Sequence, residues 1–239
     1  MSVVVVSVGR HDLGAAEAPA VSRWKVMNAI DKLFRLIDWK IAVAAAVAAP
    51  VVVLLHELAH VFALDFGGID AHLYGFSMAV PVGYSWDFKG LEEACVSYNA
   101  NPSSIAYAAL AGPIITLLIA YGALIAYHFK KTNVFWACSF SAIVLRTAGI
   151  TENMPRFLDG TINTTDEAIA AHFLDLPLTS FYWLTLALGF FCIFLLFTAA
   201  VKGQRSMYLA SAFVGGMVGY FGIDTLANIL IFKPDVWGR

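Results

Sequence analysis

Five apolar stretches, at residues 41–66, 104–129, 133–150, 178–201 and 207–232, dominate this chain of 239 residues. Each is close to the ~20 residues that an α-helix needs to cross ~30 Å of hydrocarbon. Lipid cannot hydrogen-bond a free backbone, so segments of this kind must close their own ladders as helices. Charged residues make up only 13% of the chain, about half the share of a soluble domain. The expected fold is therefore an all-α polytopic membrane protein, integral and multi-pass, with about five transmembrane helices.

Two elements should lie beside the spans. Residues 21–40 place Trp24, Met27, Ile30, Leu33, Phe34 and Ile37 at helical spacing against Arg, Lys and Asp, the pattern of an amphipathic helix at a membrane surface. Between the first two spans, Phe76, Met78, Val80, Val82 and Tyr84 alternate with small residues. That period of two predicts a short membrane-associated β-hairpin, with Pro81 confined to an edge or bulge. The organisation expected is an N-terminal segment at 1–40, a three-span core at 41–160, and a polar loop with two further helices at 161–239.

Other classes are excluded. A net charge of −2 carries no basic stripe, so nucleic acid is not an expected partner; the lipid bilayer is. Three cysteines, Cys95, Cys138 and Cys192, form no CxxC pair, so a metal here must use histidine and carboxylate. The opening Met1-Ser2-Val3-Val4-Val5-Val6 is too short for a signal-peptide core. With five spans, ten Lys and Arg fall on the N-terminal face against four on the other, which predicts a cytoplasmic N-terminus.

The chemistry-bearing motif is His56-Glu57-Leu58-Ala59-His60. Four residues apart on a helix, His56 and His60 project from one face and can grip one zinc ion, while Glu57 is placed to take a proton from a water activated by the metal. Such a motif arises by chance on the order of once in several hundred chains like this one. Ionisable residues within a membrane helix point to function by default, because lipid solvates them poorly.

Zinc needs a third protein ligand, leaving a fourth position for water. Glu92, Glu93 and His72 are available but lack a supporting motif. Asp159, in Asn153-Met154-Pro155-Arg156-Phe157-Leu158-Asp159-Gly160, is the better candidate. Consecutive crossings put the C-terminal ends of the first and third spans on the same side. Arg146 and Asp224, both within spans, are expected to pair with each other in the bundle. Gly215, Gly216 and Gly219 give the last span a small-residue packing face.

HELAH in a membrane helix, then Ala111-Gly112-Pro113 in the next span, then Asn153-x-Pro155 leading to Leu158-Asp159-Gly160, together resemble the site-2 protease family, intramembrane zinc metalloproteases. The likeness covers about residues 51–160. It implies Zn2+ held by His56, His60 and Asp159, Glu57 as general base, Asn153 positioning substrate, and a zinc site nearer the cytosolic face, an orientation opposite to the one the charge count gives, so the topology stays open. The interval from Asn153 to Asp159 is shorter than the family pattern by about two residues.

The function expected is thus an intramembrane zinc endopeptidase cutting transmembrane segments of membrane-protein substrates. The alternative is a non-catalytic scaffold or accessory subunit of a membrane complex that keeps the protease-like fold. A proton or ion pathway through His56, Glu57, Asp159 and Asp224 is a third reading, although such a path does not require histidines four apart.

Overall fold

The computed structural model describes residues 37–73, 79–162, 164–200 and 202–230. The expected amphipathic helix at 21–40 lies almost wholly outside these residues, as do positions 74–78 of the hairpin and the side chain of Asp224. The chain runs α1 (Trp39–Phe66), β1 (Ala71–Leu73), β2 (Ala79–Pro81), α2 (Phe88–Tyr98), α3 (Pro102–Lys130), α4 (Asn133–Glu152), α5 (Met154–Leu158), α6 (Asp166–Phe173), α7 (Ser180–Ala199) and α8 (Arg205–Leu230).

Among the described residues, four helices are long and apolar enough to cross a membrane: α1, α3, α4 and α7. The fifth expected span forms the 26-residue α8. Helix α1 begins at Trp39, not Ile41, because the Asp38 carboxylate accepts from the N–H groups of Lys40 and Ile41 and caps the first turn. The Asp38 N–H in turn donates to Ser211 Oγ at 2.7 Å, tying this end of α1 to α8.

The polarity of the bundle is that of a membrane protein. Large apolar side chains face outward, among them Val43, Val47, Leu55 and Phe62 on α1 and Phe190, Phe191 and Phe194 on α7, whereas Ser139, Ser141, Thr147 and Thr185 are buried. These hydroxyls serve the helices: Ser139 Oγ donates to Ala120 O (2.7 Å) and Thr147 Oγ1 to Ile143 O (2.7 Å). Trp136 Nε1 likewise reaches Leu196 O at 3.1 Å. The Ser139 and Trp136 contacts cross between helices and help join them where apolar burial alone gives no preference for protein over lipid.

The α1–α8 contact shows how close two backbones can come. A Cβ on Gly215 would stand 2.6 Å from the Ala42 carbonyl carbon, and one on Gly219 the same distance from that of Ala46. Glycine at these positions, four apart, lets α8 lie directly on the α1 backbone. Pro50 has a part in this. Lacking an N–H, it leaves the Ala46 carbonyl without its helical donor, and Gly219 packs onto that carbonyl.

At the C-terminal end of α1 the chain forms the two-stranded antiparallel sheet, with Ala71 opposite Pro81 and Leu73 opposite Ala79. Val82 N–H donates inward to Asp70 O at 2.8 Å. Alternation then turns residues 79 and 81 outward, so Pro81 withholds no donor from the ladder. Helix α6 packs chiefly on α3 and α7, burying Ala168, Ile169 and Ala170 completely.

Candidate metal centre

His56 and His60 lie on α1 seventeen and twenty-one residues beyond Trp39, about 26 and 32 Å along the helix. That is the end at which the hairpin, α5 and α6 gather. The imidazole Nε2 atoms stand 3.1 Å apart. Asp166, the first residue of α6, brings Oδ2 to 3.2 Å from His56 Nε2 and Oδ1 to 3.5 Å from His60 Nε2. His56, His60 and Asp166 form the one group of metal-ligand type among the described residues, their ligand atoms lying within 4.8 Å of one another.

Hydrogen bonds set the imidazole tautomers. His60 Nδ1 lies 2.7 Å from the Ala108 carbonyl, which can only accept, so Nδ1 carries a hydrogen. His56 Nδ1 lies 2.9 Å from Thr116 Oγ1, whose own hydrogen goes to Gly112 O at 3.0 Å. Thr116 must therefore accept from His56. Both Nε2 lone pairs are left facing one another and the Asp166 carboxylate. Outer partners of this kind orient metal-binding histidines.

Three acceptors converging at 3.1–3.5 Å repel unless a cation lies among them. Tetrahedral zinc with ligands at about 2.0–2.1 Å has ligand-to-ligand edges of about 3.3–3.4 Å, and the 3.1 Å histidine pair with the 3.2 and 3.5 Å approaches of the two Asp166 oxygens brackets that spacing. Charge agrees. Glu57, Asp166 and Glu167 against Arg146 leave a formal −2, which a divalent ion cancels and a single proton on one Nε2 does not. Buried charges persist when compensated in this way.

The third acceptor is a correction. Asp159, the expected ligand, is exposed, and its Oδ1 accepts from Thr161 N (3.0 Å) and Thr161 Oγ1 (2.7 Å). These hydrogen bonds hold its carboxyl below the usual range. Gly160, at φ +71°, then turns the chain in a conformation that glycine adopts readily, and the carboxylate that reaches the histidines comes seven residues later. Asn153 donates Nδ2–H to Gly149 O at 2.9 Å, closing the end of α4, and lines neither cavity at the centre. Glu92 pairs with His172 and Glu93 with Lys89, while His72 lies on β1.

Arg146 reaches the site from α4. Its described partners are the two carboxylates opening α6, Nη1 to Asp166 Oδ2 at 2.9 Å and Nη2 to Glu167 Oε1. Burial disfavours charge on Asp166, but His60, Arg146 and the imidazole hydrogen bonds outweigh it and hold this carboxyl well below its ordinary value. The first turn of α6 also favours acidic residues, since its free N–H groups make that end positive. A sequence signal existed: Thr164-Thr165 followed by Asp166-Glu167 and an apolar Ala-Ile-Ala-Ala run marks a helix start whose charges are about to be buried.

Glu57 stands beside the histidines and accepts from Ala79 N–H of β2 at 2.9 Å through Oε2. Trp86 covers His60, with ring centroids 5.1 Å apart. Two cavities meet at His56, Glu57 and Arg146. One of about 250 Å³ lies among the helices and is also lined by Val52, Thr116, Leu145 and Tyr220. The other, of about 570 Å³, opens toward Ala79, Ser85, Trp86, Asp87 and Asp166. The Arg146 Nε–H has no hydrogen-bond partner among the described residues.

Gly112 explains why the imidazoles fit. A Cβ there would lie 2.6 Å from His60 Cε1 and 2.7 Å from His56 Cε1. Neighbouring Pro113 cannot donate to Ala109 and loosens the turn in which Ala108 O meets His60. The Ala111-Gly112-Pro113 triplet is therefore part of the site, beyond any role in helix packing. No family model, curated protein or solved structure matches the chain.

Proposed function

We propose that the chain is an intramembrane zinc endopeptidase of site-2-protease-like type, cutting membrane-anchored protein segments. The observation that carries this reading is the convergence of three acceptors, His56 Nε2, His60 Nε2 and an Asp166 oxygen, next to a carboxylate outside that set, Glu57. Zinc held by the three would supply a Lewis acid that polarises a peptide carbonyl and makes water more acidic. Glu57, adjacent to His56 on the helix, is placed to accept a proton from the attacking water and pass it to the leaving amine. His60 is held by Ala108 O and His56 by Thr116, so neither ring need reorient during turnover.

The two cavities suit the task. The helix-lined one gives an unwound stretch of a transmembrane segment room beside Glu57, and the one toward the hairpin admits water. Arg146 borders both.

The rival is a non-catalytic membrane subunit with a structural zinc. One observation favours it: Glu57 Oε2 is already engaged by the Ala79 N–H, a contact that ties β2 to the helix. Against it, structural zinc sites close with four protein ligands, whereas three residues of ligand type gather here among the described residues.

The test is metal content and Glu57→Gln. Purified protein should hold about one zinc per chain, lost in His56→Ala/His60→Ala. Glu57→Gln should retain the metal yet cleave a co-expressed single-span substrate about 10²–10⁴-fold more slowly. Unchanged cleavage by zinc-loaded Glu57→Gln would end the protease reading.

A further inference from the structure

We propose that Arg146 and Glu167 form a positioning clamp that aims Asp166 at the metal, so that metal affinity depends on two residues that do not touch the ion. The inference rests on the metal reading above.

Helix α6 is located by apolar packing: Ile169 and Ala170 bury with Leu64, Ile105 and Ala108, and Ala168 buries with Ile150 and Tyr182. That packing sets where α6 lies but leaves the carboxylates at its start free to rotate. Arg146 removes the freedom. Its planar guanidinium places one N–H fork member on Asp166 Oδ2 and the other on Glu167, which is 1% exposed. Held by Arg146 through Oδ2, the carboxylate keeps Oδ2 at 3.2 Å from His56 Nε2 and Oδ1 at 3.5 Å from His60 Nε2.

Glu167 has a separate part. Arg146 alone beside a divalent cation would oppose binding by like-charge repulsion. Paired with Glu167, it adds no net charge, so the clamp orients Asp166 at little electrostatic cost. Arginine is required because lysine, a point donor, cannot span two carboxylates in one plane.

The charge-neutral double substitution Arg146→Gln/Glu167→Gln is the test, since it removes the clamp and leaves the site's net charge unchanged. Detergent-purified wild type and variant are titrated with zinc against a chromogenic chelator, and with cobalt(II) for its ligand-field absorption. The variant should unfold thermally like wild type in the metal-free state but bind zinc about 10–100-fold more weakly, with altered cobalt bands. Arg146→Lys, which keeps the charge without the fork, should also bind more weakly.

Should the glutamine pair not accumulate, Arg146→Met/Glu167→Leu replaces the ion pair by apolar side chains, an exchange that buried pairs often tolerate, and the same readouts apply. Wild-type zinc affinity and cobalt spectrum in the folded double variant, or full affinity in Arg146→Lys, overturn the positioning role while leaving the metal site standing. A wild-type chain that takes up neither ion overturns the proposed function, and this inference with it.

Discussion

Gly112→Ala sets two effects against each other. Helix propensity alone favours alanine over glycine in the interior of α3 by about 1 kcal/mol. The added methyl would lie 2.6 and 2.7 Å from the Cε1 atoms of His60 and His56. An ordinary carbon contact is about 3.5 Å, so the rings must retreat by roughly 0.8 Å. They are not loose: His60 Nδ1 is bonded to Ala108 O at 2.7 Å and His56 Nδ1 to Thr116 Oγ1 at 2.9 Å. Overpacking costs about 1–3 kcal/mol, so the net change in metal-free stability should be small, between no change and a loss of about 2 kcal/mol. Metal binding should suffer far more. Ligand distances tolerate only about 0.2 Å, and zinc affinity is expected to fall at least ~100-fold. Gly122→Ala is the control in the same helix, because a methyl there meets open space; it should bind zinc as wild type does. The assay is chelator competition beside thermal unfolding of the metal-free protein in detergent. Wild-type affinity in a folded Gly112→Ala protein would refute the placement of both imidazoles against this glycine.

Three further outcomes are expected. Asp166→Ala should abolish stoichiometric zinc, whereas Asp159→Ala should leave it intact, as metal analysis of the two purified variants will show. Gly219→Val should separate α8 from α1, because its Cβ meets the Ala46 backbone, which cannot swing aside; a loss of about 1–3 kcal/mol or more should appear in detergent unfolding, and unaltered stability would contradict the close approach. Zinc affinity should fall on acidification, since ligating imidazoles must be neutral. With two such ligands the loss should approach ~100-fold per pH unit, and a pH-independent affinity would argue against His56 and His60 as ligands.

The long helices were legible from residue order because their cause is local. A run of apolar residues in lipid must satisfy its own backbone, and the observed helices begin and end within two or three residues of the apolar stretches. The i,i+4 spacing likewise put His56 and His60 on one face before any packing was known. The two-stranded sheet was legible only in part: the alternating run contains β2, whereas β1 at Ala71–Leu73 lies before it.

The third acceptor was different. Asp159 and Asp166 are both aspartates after the same helix, and the helix-start pattern around Asp166 does not say that its carboxylate meets the histidines. That depended on the left-handed turn at Gly160, on Thr161 taking the Asp159 carboxylate, and on Ile169 and Ala170 packing against α3. The partner of Arg146 was decided in the same way, because its carboxylates come from another element. The sequence determined that two imidazoles would share a helix face in an apolar bundle; the aspartate that meets them is set by long-range packing, which no spacing along the chain encodes.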